Sequence, residues 1–183
     1  AQQRAADMTR KRQTIEGRRV DTLSPWVSLV EVAVRRDGEP VETYHGLEVA
    51  DYVVVCARSS SGLIPVVRQF RPILGRTTLE FPAGLVDEGE TPAIAAAREF
   101  SEETGLTVDK LVHLGSHFTD TGRLSNRTHA YFAEASGVPT LVGDEVETVL
   151  LTPDALDRAI ADETFCHFLH VGAYALARTR KLI

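Results

Sequence analysis

The chain has 183 residues, with 20 Lys and Arg against 26 Asp and Glu, a formal charge of −6 and a sequence pI of about 5.5. A length of this order supports one core, or one core with a small extra lobe, and 43% hydrophobic with 25% charged residues excludes disordered, collagen-like and coiled-coil chains. The acidic balance argues against a broad nucleic-acid surface. No apolar run reaches the roughly 18 residues of a membrane span, and Ala1-Gln2-Gln3-Arg4 opens no signal-peptide core, so the reading is a cytoplasmic protein. Cys56 and Cys166 lie in apolar segments without metal-ligand spacing and are expected as buried core residues, not a disulfide or zinc pair.

Residues 1–20 are rich in Arg, Lys and Gln without a sustained apolar period, and read as an arm. From Trp26 the pattern becomes β-like: Val30, Val32 and Val34 alternate with Glu31, Ala33 and Arg35, Asp37-Gly38-Glu39-Pro40 punctuates, and residues 41–49 resume the strand, which predicts a hairpin. Two further β-rich runs, 52–57 and 63–70, flank the turn residues Ser59-Ser60-Ser61-Gly62. Thr91-Pro92 starts a helix, an N-cap hydroxyl followed by a proline whose missing N–H costs nothing there, and Gly105 stops it. Strands are predicted over 106–117, 128–135 and 146–151, a second helix start at Thr152-Pro153, and a last amphipathic helix over 165–180. The sum is an α/β or α+β layered domain with a mixed sheet, divided as an arm (1–20), an N-terminal β-sheet (21–50) and a main domain (51–183).

On a helical wheel, Glu99, Glu102 and Glu103 share one face, and Ala93, Ile94, Ala97, Phe100 and Thr104 are expected opposite, as the packing face. Like charges at these spacings destabilise a helix by about 0.2–0.5 kcal/mol per pair, and near its C-terminus they oppose the helix dipole. Arg98 reaches Glu102 at i+4, but one guanidinium cannot neutralise three carboxylates. A divalent cation can, and an all-oxygen set without His or Cys suits Mg²⁺ or Mn²⁺; the alternative is a solvated acidic face.

The segment ahead of the helix separates these readings. Gly84, five residues, Glu90, seven residues, then Arg98-Glu99-Phe100-Ser101-Glu102-Glu103-Thr104-Gly105-Leu106 resemble the Nudix box in every defined position. The resemblance to the Nudix hydrolase family implies a Nudix-type α/β/α sandwich with a mixed sheet, plus a small N-terminal antiparallel sheet. It also implies metal binding by Glu99, Glu102, Glu103 and the carbonyl of Ala83, with Arg98 and Glu90 orienting those carboxylates. Outside the box, Arg68-Gln69-Phe70-Arg71-Pro72 and Glu80-Phe81-Pro82-Ala83-Gly84 are similar to the ADP-ribose and nucleoside diphosphate sugar pyrophosphatase branch.

That branch implies a domain-swapped homodimer, substrate phosphate contacted by Arg71, a further metal or substrate ligand in Glu80, and a base-stacking role for Trp26. It implies a catalytic base on the acidic loop Gly143-Asp144-Glu145-Val146-Glu147, assigned to Glu145 with Asp144 and Glu147 as alternatives. Thr119-Asp120-Thr121-Gly122-Arg123-Leu124-Ser125-Asn126-Arg127 lies where the branch lines its substrate, with Gly122 in the loop and Arg123 and Arg127 suited to a phosphate. Thr121 and Asn126 depart from the Pro and Glu of ADP-ribose enzymes, which leaves other nucleotide sugars open.

The implied activity is metal-dependent hydrolysis of the diphosphate bond of a nucleoside diphosphate sugar such as ADP-ribose, giving a nucleoside monophosphate and a sugar phosphate. The alternatives are another nucleoside diphosphate derivative, such as GDP-mannose or a dinucleoside polyphosphate, or a nucleotide-sugar sensor without catalysis. The partners are a small-molecule substrate and a second copy of the chain, with no nucleic acid and no membrane. The six histidines are read as structural.

Overall fold

Tyr52–Ser59 is apolar at every position from Val53 to Ala57, the pattern of a strand covered on both faces. In a computed structural model, which describes residues 12–140 and 146–183, this segment is the central strand β4. The chain divides into two compact units, one taking its residues from Ala1–Val49 and Asp120–Asn126, the other from Ala50–Thr119 and Arg127–Ile183. No helix among the described residues is long and apolar enough to cross a membrane.

In the first unit β1 (Gln13–Ser24), β2 (Val27–Arg36) and β3 (Glu42–Glu48) form an antiparallel sheet in the order β1-β2-β3. The second strand and hairpin match the alternation in the sequence. Strand β1 takes in part of the segment read as an arm, because ladder hydrogen bonds and exposed ion pairs such as Arg19–Glu31 (3.0 Å) and Arg35–Glu16 support a run with little apolar period. Exposed pairs of this kind are screened by solvent and contribute little individually. The loop 120–126 belongs to this unit: Leu47 donates to the Arg123 carbonyl (2.8 Å), and a Cβ on Gly46 would lie 2.8 Å from that same oxygen. The sequence pattern assigns this loop to the main domain, whereas its Arg123 carbonyl bonds to β3.

The second unit contains two sheets. One is mixed, in the order β7-β4-β9-β8, with β4 parallel to β9 (Arg127–Ser136) and antiparallel to β7 (Ala83–Leu85), and β8 (Thr107–Phe118) antiparallel to β9. The other is antiparallel, β10-β5-β6, from Val146–Leu151, Ile64–Arg71 and Arg76–Glu80. Helix α1 (Pro92–Thr104) covers one face of β4 and α3 (Phe168–Thr179) the other, while α2 (Pro153–Ala161) follows β10. Val53, Val55 and Ala57 point to the α1 side with Ala95, Ala96 and Phe100; Val54 and Cys56 point to the α3 side with Phe132, Leu156, Phe165 and Tyr174.

Helix α1 starts as its residues dictate: Thr91 Oγ1 accepts the Ile94 amide (3.4 Å), Pro92 opens the first turn, and Gly105 closes it at φ 68°. Thr152 caps α2 in the same way (3.2 Å to the Ala155 amide). Helix α3 begins at Phe168, not at 165, because Phe165 is a core residue packed edge-on against Phe81 at 4.9 Å and the chain turns after it. Cys56 is buried as expected; Cys166 is only half-buried, and its Sγ accepts from Arg76 (3.2 Å).

The chain leaves and re-enters this unit around the 120–126 loop, and Asp51 holds the return. Its carboxylate accepts the Arg127 amide (2.8 Å) and pairs with His129 Nε2 (3.0 Å), whose Nδ1 meets Ser116 Oγ (2.7 Å) across the β8–β9 ladder.

Phe100 is fully buried between α1 and the sheet, so Phe100→Ala is expected to lower unfolding free energy by about 3–5 kcal/mol, read by urea denaturation. A loss under about 1 kcal/mol would show that the helix is not docked through this residue.

Candidate active site

The burial of α1 bears out Phe100 and Thr104 of the expected packing face and overturns Ala93 and Ile94, which are exposed, and Ala97, which is only half-buried. Ala95, Ala96, Phe100 and Thr104 are the buried positions, whereas Ile94 is exposed. Ala95 and Ala96 precede Glu99 by four and three residues and Glu103 by eight and seven, so the small residues and the carboxylates lie along one stripe of the helix. The first two turns press their alanines onto the sheet. The last turn then carries Glu99 and Glu103 inward, where Glu99 is 16% exposed and Glu102, at the stripe's margin, is 59% exposed. Glu99 and Glu103 therefore do not lie on a solvated outer face, whereas Glu102 stays exposed.

The strand end before the helix meets them. Ala83 donates its amide to Glu103 Oε2 (3.0 Å), and a Cβ on Gly84 would overlap the Glu99 carboxylate, which is why that position requires glycine. Arg98 lies across the group. It binds Glu90 with two nitrogens (Nε–Oε1 3.0 Å, Nη2–Oε2 2.9 Å), reaches Glu99 (2.8 Å) and Glu102 (3.2 Å) through Nη1, and donates to the Leu85 carbonyl (3.2 Å). One cation thus orients three carboxylates and the loop backbone. Its bond to Glu90 holds that carboxyl below the ordinary range, and these pairings raise the already high pKa of the guanidinium.

Glu103 receives no bond from Arg98. Burial pushes its carboxyl up to about 7; the Ala83 amide and the Arg71 charge pull down, and the Glu99 and Glu80 charges push further up. Burial raises Glu99 as well, against the pull of Arg98. The donor set is oxygen throughout, with more negative charge than the one arginine offsets. That is the chemistry of a site for a hard divalent ion, and Glu99, Glu102, Glu103 and the Ala83 carbonyl are the groups able to hold it.

A second pair adjoins this group. Arg71, at the end of β5, forms a two-point salt bridge with Glu80 at the end of β6 (Nε–Oε1 2.8 Å, Nη2–Oε2 2.5 Å), and Thr78 Oγ1 donates to Glu80 Oε1 (2.6 Å). Glu80 is 2% exposed and Arg71 35% exposed. Burial alone would raise the Glu80 carboxyl, but the bonds from Arg71 and Thr78 outweigh it and hold it at about 2. Glu80, expected to touch metal or substrate, is instead the buried carboxylate that fixes Arg71, whose outer edge stays open.

The remaining expected residues are spread over both units. Trp26, Gly122 and Arg123 belong to the first unit, with Trp26 68% exposed in the β1–β2 turn. Arg127 belongs to the second, its guanidinium 4.4 Å above the Phe118 ring. Glu145 and Asp144 lie outside the described residues, and Glu147 makes an exposed pair with Arg68 (2.5 Å) across β10 and β5. Thr78 and Tyr52 carry no site role in the sequence reading, and His170 is read there as structural. Thr78 was legible, since it shares a strand face with Glu80 two residues on; Tyr52 and His170 approach only through the packing of α3 on β4.

Comparison with known proteins agrees with this geometry. A family model described as the NUDIX domain matches residues 47–168. An ADP-ribose pyrophosphatase of Bacillus subtilis is 41% identical over 86 residues, covering 47% of this chain and 46% of that protein. An ADP-ribose pyrophosphatase of Mycobacterium tuberculosis is 43% identical over 74 residues (40% and 36%), and a methanol dehydrogenase activator of Bacillus methanolicus is 36% identical over 110 residues (59% and 60%). The matched stretches thus span about a third to three fifths of these relatives' own lengths. A crystal structure of an ADP compounds hydrolase superposes with a TM-score of 0.77 over 92% of this chain and 94% of that one, at 21% identity, a likeness of fold. The chain belongs to the NUDIX domain family.

Proposed function

We propose that the protein hydrolyses the diphosphate bond of a nucleoside diphosphate sugar such as ADP-ribose, releasing a nucleoside monophosphate and a sugar phosphate. The observation that carries this is the inward acidic stripe of α1 closing on the Ala83 segment, with a single arginine to balance it. The names of the relatives from Bacillus subtilis and Mycobacterium tuberculosis support the same substrate class. A divalent cation, Mg²⁺ or Mn²⁺, bound among Glu99, Glu102, Glu103 and the Ala83 carbonyl supplies neutralisation of diphosphate charge and a more acidic bound water.

The chain's own residues do the rest. Arg98 holds Glu99 and Glu102 in position, and Arg71, fixed by Glu80, presents its open edge to a phosphate oxygen. Glu145 is our candidate for the proton acceptor from the attacking water. Gly122, Arg123 and Arg127 are proposed to line the substrate, and Trp26 to stack on its base.

The working form is proposed to be a homodimer in the cytoplasm. What supports the dimer is the first unit itself: Ile15, Leu23, Trp26 and Tyr44 are exposed, and Val30 is the one buried hydrophobic residue of that sheet among the described residues. A three-stranded sheet needs a covered apolar face for stability, and a second copy supplies it. Sedimentation at micromolar concentration is expected to give twice the chain mass of 20.1 kDa; a monomer refutes the assignment.

Three measurements test the chemistry. Across ADP-ribose, GDP-mannose, UDP-glucose and diadenosine polyphosphates, chelation by EDTA is expected to abolish product release and Mg²⁺ or Mn²⁺ to restore it; no hydrolysis of any with metal present overturns the enzyme reading in favour of a sensor. Glu103→Gln is expected to lower kcat by about 10²–10³-fold with the fold intact. The same substitution separates a stability effect. The carboxyl of Glu103 in the folded, metal-free protein ionises at about 7 against 4.5 in an unfolded chain, so ionisation costs folding free energy as pH rises through that window. Metal-free Glu103→Gln is therefore expected to be more stable than wild type above pH about 7, with the difference vanishing below the ordinary carboxylate range, as read by thermal melts across pH. Equal stability at high pH would contradict the burial of this charge.

A further inference from the structure

The segment Phe81-Pro82-Ala83 meets the acidic stripe through the Ala83 amide, and it has few ways to be held. Proline has no amide hydrogen, so the segment offers only two backbone donors. The Ala83 amide goes to Glu103 Oε2 (3.0 Å), and the Phe81 amide goes to Nδ1 of His170 (3.0 Å); Pro82 contributes its carbonyl, which accepts from the Val55 amide (2.9 Å). His170 comes from α3, about ninety positions along the chain from Phe81.

A histidine at that position is costly unless its nitrogens are used. It is fully buried among Phe81, Phe165, Tyr52 and His167, with the His167 ring stacked 4.0 Å away, a setting that otherwise calls for an apolar side chain. Nδ1 accepts an amide hydrogen, so it carries no proton; the proton of the neutral ring sits on Nε2, 3.3 Å from the Tyr52 hydroxyl. This tautomer also decides a competing reading. Glu80, His167 and His170 have ligand atoms within 4.8 Å of one another, a spacing that suits a metal ion. A neutral imidazole bound to metal through Nε2 must carry its proton on Nδ1, which the Phe81 amide forbids, and both Glu80 oxygens already bind Arg71.

We infer that His170 is a positioning residue for the metal loop: its unprotonated Nδ1 anchors the Phe81 amide from the α3 side and so sets the aim of the Ala83 carbonyl toward Glu99 and Glu103. The inference rests on the reading of Ala83 and the box glutamates as the metal site. Partners that orient a metal ligand typically change metal affinity by about 10–100-fold when removed.

The test compares His170→Leu, which fills space without an acceptor, with His170→Asn, whose Oδ1 can take the place of Nδ1. Mn²⁺ binding to the otherwise metal-free protein is measured by electron paramagnetic resonance, and exchange of the Phe81 amide by NMR. His170→Leu is expected to weaken Mn²⁺ at least about tenfold and to speed Phe81 exchange, with His170→Asn restoring both to within about threefold of wild type. Unchanged affinity and exchange in a folded His170→Leu, or an Asn variant as impaired as the Leu one, overturns the inference. Glu103→Gln serves as the control: if it leaves Mn²⁺ binding intact, the metal-site reading itself has failed, whereas loss in Glu103→Gln with no effect in His170→Leu removes only the role of His170. Should His170→Leu fail to fold, long-range ¹H–¹⁵N correlation on the wild-type protein decides; a protonated Nδ1 is incompatible with the anchor, and protonation at Nε2 supports it.

Discussion

Helix α1 carries its carboxylates on the same stripe as the alanines that dock it to the sheet. That constraint organises the rest of the second unit. Docking through Ala95, Ala96 and Phe100 commits the last turn of the helix to face inward, and Glu99 and Glu103 must then be accommodated away from bulk water. Arg98 binds Glu99 but not Glu103, and it is already divided among Glu90, Glu99 and Glu102. The result is a folded state that holds uncompensated negative charge, with burial pushing the Glu103 carboxyl up to about 7. Such an arrangement weakens the empty protein and favours whatever cation enters it, the usual opposition between stability and a functional site.

The scaffold answers that cost from the other face of the sheet. The apolar run of β4 is covered on both sides, and α3 packs a dense group of aromatic rings behind the strand end that leads into the box. Arg71 and Glu80 belong to the same support. Their salt bridge, with Thr78, ties β5 to β6 in the last residues before Phe81, and the charge of Arg71 is felt at Glu103. Elements far apart in sequence therefore hold one short backbone segment against one turn of helix.

The first unit follows different physics. Its sheet is held by ladder bonds and exposed ion pairs, with little apolar burial of its own, and it takes the loop 120–126 as part of itself. The residues of that loop, with their departures at Thr121 and Asn126, belong to the unit of the N-terminal sheet and not to that of the box. The charged cluster of Glu99, Glu102, Glu103 and Arg98 lies wholly within the second unit.

Much of this was legible from residues alone. Thr91-Pro92 and Gly105 bounded α1 because caps act locally, through hydrogen bonds within one turn. The spacing of Gly84, Glu90, Arg98, Glu99, Glu102 and Glu103 specified the charge cluster, since a helix places such positions together whatever surrounds it. What the wheel could not say was which way the cluster faced, and there the sequence reading chose Ala93, Ile94 and Ala97 over the alanines that are buried. Orientation depends on the shape of the sheet beneath the helix, which no local pattern encodes. The same holds for Glu80, whose partner Arg71 is opposed to it only by the β5–β6 register, and for His170, whose lone nitrogen finds the Phe81 amide only once α3 lies on β4. The sequence by itself determined the chemistry of the site, because short-range geometry sets the spacing of its charges; the tertiary structure decided their aim and their burial, because those follow from contacts between segments that local residue patterns do not link.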